Sequence, residues 1–439
     1  MNFSIKTNIN LKIASIIVIT LLLMIPTSMI ESLIHEREAT QKEAIYEVSS
    51  KWGKGQTLIG PFISIPYYKY IKQKKENSTF ETTTKVKDYI HFLPTDLKIN
   101  GEISPERRHR GIYEIIVYNS NLTVSGSFDS LNFSDFDIPM EEIQFEKATL
   151  SMGISDLRGI EKQIILDWNG GHSLFNPGTV SDNVIKSGIN TNVDLTEDEE
   201  CKYEFSLNLE LKGSQKLYFV PSGETSDITV GSSWNNPSFN GAFLPDTRKI
   251  NENGFEANWN ILHLNRNFPQ KWTGSNNKIN KSQFGVDLLL PVDSYQKSVR
   301  SIKYALLFIA LTFIVFFFVE ILQKTFIHPV QYILVGFALV VFYTLLLSIS
   351  EHLTYNFTFI ISAVSTILLI AGYVKSVLKS GQLALLIGGI LTILYTFIFT
   401  LIQLQGFALL IGSIGIFIIL ALVMYFSRKI DWFDLKLDK

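Results

Sequence analysis

The 439-residue chain is poor in cysteine and in charge. Its single cysteine, Cys201, excludes an intrachain disulfide framework and any multi-cysteine zinc site. Charged residues make up 18% of the chain, against about 25% in an average soluble domain. The net charge of −2 offers no electrostatic reason for a nucleic-acid partner. No two of the seven histidines, at 35, 91, 109, 172, 263, 328 and 352, have the close helical spacing of a zinc motif. There is no G-x-S-x-G elbow, no H-E-x-x-H and no P-loop. No cofactor and no metal are therefore expected.

What is present accounts for the shortage of charge. Ile13 to Ile30 is an apolar run without a single charge. It is close to the roughly 20 residues a helix needs to cross a bilayer core. Lys6 and Lys12 precede it and no small-x-small cleavage pattern follows, so it reads as an uncleaved anchor, with a cleaved signal peptide as the alternative, and Pro26 is expected to kink it near its outer end. Five more spans cluster at the other end, at Tyr304–Leu322, Pro329–Ile349, Phe357–Val374, Leu383–Ile402 and Gly406–Phe426. The lipid bilayer is thus one partner. The intervening region, 31–303, holds 30 basic and 36 acidic residues, an ordinary density, whereas the other 166 residues hold only 14 charges. The 18% average describes neither part.

Basic residues set the expected orientation. With the N-terminus in the cytoplasm, Lys6, Lys12, Lys324, Lys375, Lys379, Arg428, Lys429, Lys436 and Lys439 all lie inside, and the outer links at 350–356 and 403–405 carry no Lys or Arg. Segments 1–30 and 304–426 then form the membrane part and 427–439 a cytoplasmic tail. Residues 31–303 become a domain on the far side, periplasmic in a Gram-negative cell. The expected class is a mixed membrane protein: an N-terminal anchor, a large β-rich, sandwich-like domain, and a C-terminal bundle of five transmembrane helices.

That middle region opens with Ile30, Ile34, Ile45, Val48 and Trp52 at helical spacing, either a stalk continuing the first span or an amphipathic surface helix. Asp293 to Lys303 runs without a breaker into the second span. Between these ends the period becomes two. Tyr203, Phe205, Leu207, Leu209 and Leu211 alternate with polar residues, as do Phe255, Ala257, Trp259 and Ile261. This predicts an antiparallel β-sandwich. A hairpin is expected between 111–118 and 122–128, turning at Asn119-Ser120-Asn121.

Few residues carry chemistry. Ser294-Tyr-Gln-Lys297 fits S-x-x-K and Ser181-Asp182-Asn183 spells S-D-N, but their order is reversed, no K-T-G follows, and a strand-rich context does not supply a helix under Ser294. The chain is expected not to be an enzyme. The acidic run Asp194 to Glu200 lacks calcium-loop spacing and reads as a solvated loop. The basic cluster Arg107-Arg108-His109-Arg110 precedes a strand, where it either covers the strand entrance or binds anionic headgroups or sugar phosphates; Arg110 is the candidate kept from it. In the membrane part Glu320, His328, Glu351 and His352 are candidates. All four lie near an interface, where a charge reaches water cheaply, and no charge lies at a midplane, which argues against a proton-coupled transporter. Ala384 with Gly388 and Ala408 with Gly412 have the spacing that lets helices pack closely, here the last two spans.

The block Pro291 to Phe308, the stretch His328-Pro-Val-Gln-Tyr-Ile-Leu-Val-Gly336, and Leu346-Leu-Ser-Ile-Ser-Glu-His352 resemble the membrane part of the CreD family. Gly60-Pro61 with Pro66, and Arg110-Gly-Ile-Tyr113 with Val117-Tyr118, are similar to its middle domain. The resemblance covers nearly the whole chain. It implies an inner-membrane protein tied to cell-envelope integrity, to envelope-stress signalling by a two-component system, and to tolerance of β-lactams and certain colicins. It assigns no catalytic residue. The expected partner is an envelope component or another membrane protein bound by the β domain or the bundle; a β-sandwich beside a helical bundle leaves transport or handling of lipids or envelope precursors as the alternative function.

Overall fold

The computed structural model describes residues 9–74, 81–129, 131–181, 184–196, 201–274, 279–290, 294–323, 325–428 and 430. Lys6, Asp182-Asn183, the end of the acidic run at 197–200, the block start 291–293, Lys324, Lys429 and the tail from 431 lie outside the described residues. The chain divides into two compact units, one of residues 1–42 and 292–439, the other Glu43–Pro291.

The first unit is helical because its residues are apolar over whole spans. α1 (Ile9–Trp52) begins here and continues into the other unit. It runs through Pro26 as a single helix, although proline removes one hydrogen bond of the ladder. The far end is α2 (Ser294–Lys303), α3 (Ala305–Leu322), α4 (Pro329–Ser350), α5 (Tyr355–Leu378), α6 (Gly381–Gln403) and α7 (Ala408–Ser427). Six of these, α1 and α3 to α7, are long and apolar enough to cross a membrane. α2 is not continuous with the second span: the chain breaks at Tyr304, which adopts a non-helical φ of −91° and ψ of 2°.

The interior of this unit is built from one side of each of α1 to α6. Ile19, Leu23, Ile30 and Ile34 of α1 are buried, and Gly336 of α4 leaves the space that the Leu23 side chain fills. Phe342 lies tilted and Phe359 edge-on against Tyr395, with ring centroids 4.7 and 6.2 Å away. The expected small-residue contact of the last two spans is not made by Gly388, whose neighbours are Ala371 and Ile367 of α5. Gly412 of the other pair does face α6, with Leu401 3.8 Å from where its Cβ would stand, and the Phe397 ring covers Gly415 one turn on. No residue of α7 is buried.

The second unit is β-rich because its alternating residues need two sheets to bury one face. A nine-stranded sheet contains β1 (Gln56–Lys74), β2 (Glu81–Phe92), β5 (Thr149–Ile154), β8 (Asn176–Pro177), β9 (Gly188–Asn192), β11 (Lys216–Val220), β13 (Pro237–Gly241), β16 (Lys271–Thr273) and β17 (Phe284–Leu288). An eight-stranded sheet contains β3 (Asp96–Arg110), β4 (Tyr113–Asp129), β6 (Ile165–Trp168), β7 (Gly171–Leu174), β10 (Lys202–Ser214), β12 (Thr225–Ser232), β14 (Thr247–Asn251) and β15 (Gly254–Leu262). Ile63, Phe219 and Val286 from the first sheet and Ile99, Val124, Leu209 and Val230 from the second share one core. The two sheets form a sandwich around it, and the Tyr118 hydroxyl crosses from one sheet to the Lys216 carbonyl of the other at 2.7 Å. Each fully buried side chain of the core is worth about 1.5–3 kcal/mol.

Two sequence expectations are corrected here. The sheets are mixed, because β1 runs parallel to β11 and β12 parallel to β3. There is no hairpin at Asn119-Ser120-Asn121; β4 runs straight through it, paired on one side with β3 and on the other with β10. Asn119 and Asn121 face solvent while Ser120 points inward and donates to the Leu211 carbonyl at 2.9 Å. A polar alternation had the composition of a turn. The turn falls at Gly111-Ile112, which makes Arg107 to Arg110 the end of β3 rather than a strand entrance.

Candidate functional site

In the membrane part, polar side chains converge where α1, α3 and α4 meet. Lys12 Nζ lies 2.8 Å from Glu320 Oε1, with side-chain exposures of 2% and 1%. The same ammonium donates to the Ile327 carbonyl and lies over the Phe326 and Tyr332 rings, 4.6 and 5.1 Å from their centroids. Glu320 accepts from the Ile327 N–H at 3.2 Å and, through Oε2, from the Tyr332 hydroxyl at 2.9 Å. The pair is neutral as a whole and both carboxylate oxygens are engaged. An ion pair so withdrawn from solvent is tolerable only when such additional bonds are made. The expectation that Glu320 reaches water is therefore corrected: Glu320 turns inward and Lys12 reaches it across 308 residues of sequence.

The remaining membrane candidates do not join this cluster. His328 is the N-cap of α4; its Nδ1 accepts from the Val330 N–H at 3.3 Å, and its own N–H donates to Gln331 Oε1 at 2.9 Å. Glu351 caps the other end of α4, 3.3 Å from the Tyr295 hydroxyl and 3.7 Å from Arg37 Nε. His352 is exposed. Ser294 does begin a helix, α2, contrary to the strand-rich context expected for it. Lys297, one turn on, donates to Gln403 Oε1 at 3.2 Å. Burial first, then Arg300, pushes its amine below the usual lysine value. Ser181 belongs to the other unit.

In the β-rich unit the basic end of β3 meets the C-terminal turns of α1. Alternation sets Arg108 and Arg110 on one face of β3 and Arg107 on the other, where it pairs with Glu114 at 2.9 Å and lies over Trp234. Trp52 is held by its Nε1–H to the Tyr118 carbonyl at 3.4 Å. Gly53 closes the helix with φ +154°, a value that favours glycine, and its N–H donates to the Ser49 carbonyl. The Arg108 guanidinium lies 3.8 Å, and Lys212 Nζ 4.5 Å, from the Trp52 ring centroid. Arg110 makes a two-pronged contact with Glu47 at 3.0 and 3.1 Å. Lys51 first, and Arg110 after it, hold the Glu47 carboxyl below the usual carboxylate range. Between them is a cavity of about 330 Å³ lined by Glu47, Lys51, Trp52, Arg108, His109 and Arg110.

Of the residues singled out from sequence, Arg110 lies in this cleft and Glu320 in the membrane cluster. Lys12, Tyr332, Trp52, Glu47 and Lys212 were not foreseen as parts of either. Trp52 had one legible signal, its place at the end of the helical stripe.

An apolar anchor, a two-sheet β domain and a bundle of five further apolar helices define a multi-pass membrane protein with a large domain inserted after its first span. The family model described as "Inner membrane protein CreD" matches residues 8–433. The Inner membrane protein CreD of Escherichia coli (strain K12) is 34% identical over 433 residues, 98% of this chain and 94% of the relative. The chain belongs to the CreD family of inner membrane proteins.

Proposed function

We propose that the protein supports cell-envelope integrity without being an enzyme, by binding or sensing an envelope component through a periplasmic β domain. Both termini are cytoplasmic in this reading, with residues 31–303 outside. The observation that carries the orientation is the absence of Lys and Arg from the links at 350–356 and 403–405, against the basic residues flanking the opposite helix ends. Family membership supports the envelope role. The commitment of Lys297 to Gln403 supports the non-enzymatic reading. A reporter fused after residue 200 should behave as periplasmic and one after Lys439 as cytoplasmic. Loss of the chain should lower tolerance of β-lactams, and the wild-type chain should restore it. Inverted reporters, or unchanged tolerance, would overturn the reading.

A second reading, lipid handling, is favoured by an apolar groove of about 490 Å³ between α3, α6 and α7, lined by Val315, Ile390 and Leu422 among others. It expects a photoreactive acyl lipid to label these helices and Val315→Trp, which fills the groove, to abolish labelling together with complementation.

A further inference from the structure

The cleft beside Trp52 has the chemistry of an anion site. Its walls carry Lys51, Arg108 and Arg110 against Glu47, which pairs with Lys51 at 2.7 Å as well as with Arg110, while Glu106 beside the cleft lies 3.3 Å from Arg108. Its volume of about 330 Å³ sits at the lower end of the roughly 300–1,000 Å³ typical of small-molecule sites. The Arg108 guanidinium carbon sits over the Trp52 ring at 3.8 Å, which holds the group at the cleft wall, with its Nε buried and its Nη1 left as the donor for a ligand. The Nε–Nη2 edge faces Glu106 in a loose ion pair, and Nη1 makes no hydrogen bond among the described residues. Arg108 Nε is 3.3 Å from Glu106 Oε1 without hydrogen-bond geometry and has no hydrogen-bond partner among the described residues, and Nη2 reaches Glu106 only at 3.4 Å. Arg110, by contrast, spends its fork on Glu47, a carboxylate already lying where an incoming anion would bind. A planar guanidinium held on an indole, with a second guanidinium two residues along the same strand face, suits the several acceptor oxygens of a phosphate better than a lone carboxylate.

We propose that this cleft binds a phosphate-bearing group, from an anionic phospholipid headgroup or a soluble sugar phosphate, with Arg108 as the principal donor and Glu47 as an internal competitor for Arg110. This rests on the reading of the β domain as the envelope-sensing part and names the ligand chemistry. Helix C-termini also attract cations for their own stability, so the test must separate binding from a purely structural role.

Full-length protein in a neutral maltoside detergent would be titrated calorimetrically with glucose 1-phosphate and, separately, with short-chain phosphatidylglycerol, phosphatidylcholine serving as control. Saturable binding of glucose 1-phosphate identifies the soluble source; binding of phosphatidylglycerol alone identifies the lipid. Arg108→Gln should weaken binding by about tenfold or more, as loss of a charge-assisted hydrogen bond does. Glu47→Gln should tighten it, which a structural salt-bridge cluster would not do. Lys249→Gln, on exposed β14, should leave it unchanged. Absence of saturable binding by either probe, or equal affinities in wild type, Arg108→Gln and Glu47→Gln, would overturn the proposal. Complementation separates it from the wider reading: an Arg108→Gln chain that binds no differently and restores β-lactam tolerance defeats the site alone, whereas no phenotype on loss of the chain defeats the function whatever the cleft binds.

Discussion

Lys12 and Glu320 form an ion pair 2.8 Å long that joins the first and second spans, and both side chains are almost wholly withdrawn from solvent. Removing one partner strands the other charge in apolar surroundings. Lys12→Met and Glu320→Leu are each expected to lower stability by about 3–5 kcal/mol, and the double substitution by much less than the sum. Denaturation in mixed micelles of the four chains gives the cycle. Additive losses would show that the pair is not coupled.

His91 lies in β2 with no exposed surface; its Nδ1 shares a hydrogen bond with Ser64 Oγ at 2.9 Å, and Nε2 is buried without a partner among the described residues. Burial pushes its pKa down to about 4, with a small opposing pull from Asp88. The unfolded chain therefore takes up this proton at a higher pH than the folded one. The stability that neutral His91 contributes is complete above pH 6.5 and is lost as pH falls toward 4, about 3 kcal/mol in all. Urea midpoints measured from pH 7 to 4 should fall for the wild type and fall less steeply for His91→Phe. Equal slopes would assign the acid sensitivity to other groups.

A Cβ on Gly126 would stand 1.9 Å from the Asp96 carbonyl oxygen and 2.8 Å from the end of the Phe205 ring. The obstructing atom is backbone in a paired strand, so the sheet itself must move. Gly126→Ala is expected to cost about 3 kcal/mol or more. Gly231→Ala, which meets only the Phe255 carbonyl at 3.9 Å, should be neutral or stabilising by up to about 1 kcal/mol. Thermal denaturation monitored by tryptophan fluorescence checks both, and similar melting temperatures would contradict the packing argument.

Ile387 of α6 has no exposed surface, whereas Leu420 of α7 is 54% exposed. Lipid tails are as apolar as the interior of a bundle, so moving a side chain from one to the other gains little and helix packing is what a truncation removes. Ile387→Ala should cost about 2–5 kcal/mol and Leu420→Ala less than about 0.5 kcal/mol. Equal effects in micelle unfolding would mean that α7 is covered by something in the folded protein.

The spans were legible because hydropathy is a property of consecutive residues: each run long enough to satisfy its own backbone bonds in lipid declares itself without reference to the rest of the chain. The strands with strict alternation, 203–211 and 255–261, were legible for the same local reason, and their apolar residues are the buried ones. Asn119-Ser120-Asn121 was misread because the polar face of a long strand and a turn draw on the same residues; only pairing to both β3 and β10 tells them apart.

The order of spans, the inserted domain and its β character are thus written in the sequence. The burial of Glu320, the partners of Trp52 and the parallel pairings of β1 and β12 are not. Each depends on residues far apart in the chain, Lys12 with Glu320 and Trp52 with Arg108, brought together when surfaces pack. A glutamate near the end of an apolar run reads the same whether it faces water or a lysine. What decides is the free energy of desolvating both charges against the bonds they then share, and that balance exists only in the folded bundle.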